Sequence, residues 1–156
     1  MNKLLEFSIN IPAEKTSVIK ILTDYEGLLK YLPDQLKSIK IIKSTKDETI
    51  TEEEIVFSSI LKKSIIQTCS HSLLNDNLLQ TKILSGPAEN SIIDMMFENT
   101  VSGTKISSTI NLKLSLKAKI LSPFINKAYK MVLTGVLYKV NTDALEISPL
   151  ENNTDE

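Results

Sequence analysis

The chain is 156 residues long, 42% hydrophobic and 24% charged, with a formal net charge of −1, which suits one domain with a core of its own. A single cysteine, Cys69, excludes an internal disulfide, and a single histidine, His71, excludes a multi-histidine metal site. All 18 basic residues are lysines, so no arginine fork is available to grip a phosphate or carboxylate bidentately.

The N-terminal stretch MNKLLEFSINIPAEK carries charge inside a short apolar run, unlike a signal peptide. No run in the chain approaches the roughly 18–20 apolar residues of a membrane span, so a cytoplasmic protein is expected. Residues 3–11 alternate, with Leu5, Phe7, Ile9 and Ile11 on one face, and read as a half-buried strand ended by Pro12. A helix follows to about Leu22, and Thr23 to Gly27 breaks it. A second short helix, Leu28 to Leu32, stops before Pro33.

Six strand candidates come next at hairpin spacing: 36–44, 49–58, 64–73, 78–84, 91–101 and 104–114, the last with an option to run on to Ala118. Asn75-Asp76-Asn77, Gly86-Pro87 and Ser102-Gly103 supply turns between them. In the third candidate Ile65, Gln67, Cys69, His71 and Leu73 share a face; in the fifth, Ile93, Met95, Phe97 and Val101 do. Asp94 and Glu98 fall on the opposite, solvent side.

The last element is a helix from Ser122 to Glu146, with Ser122 as N-cap and Pro123 at the first helical position. At 1.5 Å per residue it spans about 37 Å. Phe124, Ile125, Ala128, Tyr129, Met131, Val132, Leu133, Val136, Leu137 and Val140 cover more than half its circumference, so it is expected to need cover on more than one side. Residues 148–156 are polar and acidic and are expected to form a disordered tail after a domain of residues 1–147. The order β–α–α–β–β–β–β–β–β–α predicts an α+β fold: a curved antiparallel sheet of about seven strands wrapped on the last helix, with two short helices after the first strand.

The segments Ile11-Pro12-Ala13-Glu14-Lys15, Leu22-Thr23-Asp24-Tyr25-Glu26 and Tyr31-Leu32-Pro33, with the helix start Ile120-Leu121-Ser122-Pro123-Phe124, resemble the START-like helix-grip (SRPBCC) superfamily. The polyketide-cyclase/coenzyme-Q-binding branch is the most similar. The resemblance covers residues 4–146. Coenzyme-Q-binding members carry a Trp-Cys-like pair where this chain has Asp34-Gln35, a departure that weighs against a quinone. The resemblance implies a cavity between sheet and last helix, used by relatives for sterols, lipids, quinones, hormones or polyketides. Some relatives are cyclases, and one bacterial branch is a ribosome-associated toxin.

A cavity of that kind would be lined by Phe57, Met95, Phe97, Tyr129, Val132 and Val136, residues that otherwise serve as core, with Gln67 and His71 as polar anchors. Cys69 and His71, two apart on one strand face, point in parallel and lack a third group, so no catalytic dyad is expected. One His and one Cys are too few for a metal, and no cofactor is expected. The leading reading is a non-enzymatic carrier of a hydrophobic small molecule: a lipid, isoprenoid or quinone-like compound. Alternatives are a polyketide cyclase or dehydratase, and a ribosome- or RNA-associated regulator.

Charge is unevenly spread. Asp47, Glu48, Glu52, Glu53 and Glu54 cluster, whereas Asn99 to Thr142 holds Lys105, Lys113, Lys117, Lys119, Lys127, Lys130 and Lys139 and no acid. The basic stretch is either a solvated face or a surface for transient contact with an anionic membrane. The absence of arginine and the scarcity of aromatics argue against nucleic acid.

Overall fold

The computed structural model describes residues 3–56 and 64–151. Strand β1 (Lys3–Ile11) leads into helix α1 (Lys15–Leu22) and a 3₁₀ helix (Glu26–Tyr31). Six strands follow: β2 (Leu36–Ser44), β3 (Thr49–Val56), β4 (Ser64–Asn75), β5 (Leu78–Ser85), β6 (Ile92–Thr100) and β7 (Gly103–Leu112). A short 3₁₀ turn (Lys119–Leu121) precedes the long helix α2 (Ser122–Glu151). The seven strands form one antiparallel sheet in the order β1-β7-β6-β5-β4-β3-β2. The α+β helix-grip architecture expected from the sequence is the one observed.

Consecutive strands β1 and β2 therefore lie at opposite edges, and α1 with the 3₁₀ helix carries the chain from one to the other. The register slips between Leu36 and Ser38, between Ile41 and Lys43, between Thr68 and Cys69, and between Leu73 and Asn75. Each slip is a bulge or irregularity of the kind that bends a strand and increases its twist. All four fall in strands β2 to β5. Gly103 closes the β6–β7 hairpin with φ +149°, and a Cβ there would overlap the Ile11 carbonyl oxygen. Only glycine fits.

One end of the concave face is solid. Ile11, Ala13, Val18, Phe97, Ile106, Leu137, Val140 and Ala144 are almost completely buried there, joining α1, β1, β6, β7 and the C-terminal half of α2. Polar ties hold the same end. The Ala13 N–H donates to Asn141 Oδ1 (2.9 Å), Thr104 Oγ1 donates to the Ala13 carbonyl (2.7 Å), and Tyr31 donates to Asp143, which also pairs with Lys30 at 3.0 Å. A smaller cluster of Tyr25, Leu36 and Ile39 packs the 3₁₀ helix onto β2.

Several boundaries differ from the sequence reading. The second short helix is 3₁₀ and starts at Glu26 rather than Leu28. Strand β7 ends at Leu112, since Ser115 N–H bonds to the Pro87 carbonyl and turns the chain out of the sheet. Helix α2 continues past Glu146 to Glu151, and residues 152–156 of the expected tail lie outside the described residues. The expectation that α2 is covered on several sides is also corrected. Met131 is 72% exposed and Tyr138 56%, because the sheet grips one side of the helix and leaves the other to solvent.

Candidate functional site

Toward the N-terminal half of α2 the packing opens into a cavity of about 500 Å³ between the concave sheet, the 3₁₀ segment and the helix. The helix contributes Ile125, Tyr129, Val132, Leu133 and Val136, which recur at helical spacing on its inner face. The sheet contributes alternate residues of its strands: Glu53 and Ile55 on β3, Gln67, Cys69 and His71 on β4, Leu79 and Thr81 on β5, Ile93 and Met95 on β6, Ser108 and Ile110 on β7. Tyr129 donates to Ser108 Oγ at 2.9 Å, and its ring meets Phe7 edge-on at 6.5 Å, so helix and sheet are pinned across the space.

Six of the residues singled out from sequence line this cavity: Gln67, His71, Met95, Tyr129, Val132 and Val136. Phe97 does not line it; it is fully buried in the solid end, beside Ile106 and Leu137. Phe57 lies outside the described residues.

The lining is mostly apolar; its polar residues are the Ser108–Tyr129 pair between β7 and α2 and one connected group on β3, β4 and β5. Antiparallel register sets Glu53 opposite Gln67 and His71 opposite Thr81. Gln67 Nε2 donates to Glu53 Oε2 (2.9 Å) and Thr51 Oγ1 donates to Glu53 Oε1 (3.0 Å). Thr51 Oγ1 also lies 2.9 Å from His71 Nε2, and Thr81 Oγ1 lies 2.8 Å from His71 Nδ1. A threonine hydroxyl has one proton. Thr51 gives its proton to the carboxylate, so His71 Nε2 must carry a hydrogen and donate to Thr51. The result is a directed chain from imidazole through hydroxyl to carboxylate, with Nε2 also 3.5 Å from Glu53 Oε1. Tyr25 stacks on the imidazole at 4.2 Å with 21° between the planes and fixes the ring from the other side.

Burial pushes the Glu53 carboxyl up, but the hydrogen bonds and proximity of His71, with bonds from Gln67 and Thr51, outweigh it. The group sits below the ordinary carboxylate range. Glu53 is therefore ionised at neutral pH although its side chain is only 13% exposed. Burial, reinforced by the Glu53 charge, pushes the Cys69 thiol far up, so it stays protonated. Its sulfur bonds to Gln67 and Glu53, and both His71 nitrogens are engaged by threonines. A Cys69–His71 nucleophile–base pair is excluded on both counts. Burial also raises Tyr25 to about 12. Among the described residues no cluster of three metal-ligating side chains exists.

Sequence reasoning sets Glu53 aside as part of an acidic cluster near a strand end, and does not single out Thr51, Thr81 or Tyr25 for the site. Glu53 shares the face of Ile55, which was a usable signal, but the run Glu52-Glu53-Glu54 reads as a solvated strand end until its partner Gln67 is known.

No protein-family model matches the chain, and no curated protein matches it in sequence. Solved structures do. TTHA0849 from Thermus thermophilus aligns with a TM-score of 0.77 at 17% identity, over 94% of this chain and 99% of that one. The Zhui aromatase/cyclase from Streptomyces sp. R1128 aligns with a TM-score of 0.76 at 11% identity, over 92% and 94%. A START superfamily protein from Mycobacterium smegmatis gives 0.72 at 11%, over 94% and 99%.

The chain has the START-like helix-grip fold. At these identities the shared property is the architecture, and the helix-grip cavity described above takes its chemistry from this chain's own residues.

Proposed function

We propose that the protein binds or carries a hydrophobic small molecule in the helix-grip cavity. The observation that carries this reading is a cavity of about 500 Å³, lined mostly by aliphatic side chains, with a polar cluster on β3–β5 and the Ser108–Tyr129 pair. That volume and polarity suit a drug-sized ligand held by burial and oriented by a few fixed polar groups. A neutral fluorescent probe, N-phenylnaphthylamine, should bind with one-to-one stoichiometry. Val136→Trp should abolish binding while keeping the melting temperature within a few degrees. Absence of saturable binding to the wild-type protein refutes the reading.

Turnover of a polyketide-like substrate is the second reading, supported by the buried Glu53–His71 cluster. Binding is favoured over it because a general base works best with a pKa near the working pH, and Glu53 sits on the weak-base side. Both His71 nitrogens are already committed.

We place loading at an anionic membrane from within the cytoplasm. Leu116, Ile120 and Met131 are 84%, 76% and 72% exposed in the stretch of chain that also carries Lys113, Lys117, Lys119 and Lys130. Exposed apolar side chains interspersed with lysines along the chain suit an interface of anionic headgroups. No described helix is long and apolar enough to cross a membrane. Co-sedimentation with phosphatidylglycerol vesicles, weakened by salt and by Lys117→Glu with Lys119→Glu, is the expected result; indifference to both refutes this placement.

A further inference from the structure

We infer that the polar wall of the cavity selects an uncharged apolar molecule bearing a hydroxyl, an alcohol or phenol, and rejects the carboxylate of the same skeleton. The inference rests on the ligand-binding reading and deepens it.

Glu53 is an ionised carboxylate on the cavity wall, and an ionised carboxylate can only accept hydrogen bonds. Its two oxygens offer about four lone-pair sites. Thr51 takes one on Oε1 and Gln67 takes one on Oε2, both within 3.0 Å. The remaining contact on Oε2 is the Cys69 thiol at 3.6 Å, a weak donor at long range. A ligand hydroxyl can replace that contact and form a charge-assisted bond, among the stronger kinds available to a neutral group. The imidazole lies on the Oε1 side, bonded to Thr51 and 3.5 Å from Oε1, so it does not compete for the position on Oε2.

The rest of the lining sets the charge rule. No lysine lines the cavity among the described residues, and the chain has no arginine. Tyr129 is held as a neutral phenol by burial, and Tyr25 likewise. A fatty acid or other carboxylate would have to place its anion beside the buried Glu53 anion, with His71 already paired to that anion and no lysine or arginine to meet it, which is costly at low dielectric. An ammonium ligand would find an opposite charge but would lose its own hydration on entering a largely apolar space. A hydroxyl satisfies the carboxylate without either cost.

The test displaces N-phenylnaphthylamine from the wild-type protein at pH 7 with naphthol, its methyl ether and the corresponding naphthoate. All three share one apolar skeleton; only naphthol donates. Naphthol is expected to compete at roughly tenfold lower concentration, or better, than the ether, with naphthoate weakest. Glu53→Gln should shrink the gap between naphthol and ether and improve naphthoate. The wild-type comparison stands on its own if that variant folds poorly. Equal competition by naphthol and ether, or preference for naphthoate, overturns the inference while leaving the binding reading intact. Failure of the probe to bind at all removes both.

Discussion

Helix α2 uses its apolar residues in two ways, and the difference can be measured. Leu137 is fully buried in the solid end, against a core that includes Phe97, Ile106 and Val140. Truncating it removes transfer energy and leaves a void that a close-packed surround cannot fill. Leu137→Ala should therefore cost about 2–5 kcal/mol. At about 2–4 °C per kcal/mol for a chain of this size, the melting temperature should fall by roughly 4–20 °C. Val132, little more than a turn earlier, borders space that already exists. Its truncation enlarges a cavity and creates no new one, so Val132→Ala should cost about 1 kcal/mol or less, the transfer term alone. Urea denaturation of both variants reads this directly as a shift in midpoint at constant slope. Equal losses, or a larger loss for Val132→Ala, would mean that the N-terminal half of α2 is packed as tightly as the C-terminal half and that the cavity reading is wrong.

A Cβ added at Gly135 meets open space, so Gly135→Ala should stabilise the protein by about 0.4–1 kcal/mol, whereas Gly103→Ala should destabilise it; a loss at Gly135 would show a close approach that the structure lacks. Cys69 is 1% exposed, with its thiol pushed up by burial, so its alkylation at pH 7 should be slow in buffer and accelerate with urea in step with unfolding; rapid labelling of the native protein would contradict its placement. Glu53 sits below the ordinary carboxylate range in the folded state, so its ionised form stabilises the fold above the unfolded-chain value, and that contribution is lost as the pH falls through the folded value. Below about pH 4–5 the wild type should therefore lose stability faster than Glu53→Gln; parallel pH profiles of the urea midpoint would refute the assignment.

The periodicities carried most of the architecture. Alternation on β4 put Gln67, Cys69 and His71 on one face, and helical spacing put Tyr129, Val132 and Val136 on another; the two faces do meet across the cavity. What alternation cannot supply is position along the partner element. Phe97 follows Met95 on the same face of β6, yet Met95 lies at the hollow end and Phe97 at the solid one, a distinction set by where α1 and the end of α2 close the core. Glu53 was obscured for a related reason. A glutamate in an acidic run looks solvated, and only cross-strand register reveals that Gln67 meets it indoors, where Thr51 of its own strand also bonds to it. Tyr25 reaches His71 from a 3₁₀ segment remote in sequence, a contact that no local pattern encodes. Conversely, the apolar count on α2 overstated its cover: Met131 and Tyr138 show that single large apolar side chains are tolerated at the surface.

The most direct test of the cavity as the ligand site is methyl NMR during titration with N-phenylnaphthylamine. Saturable shifts confined to Ile110, Val132, Leu133, Val136 and Met95, with Val140 and Leu137 unmoved, are the predicted outcome. Shifts confined to Leu116, Ile120 and Met131, with the cavity methyls silent, would place the probe on the outer surface and contradict the account.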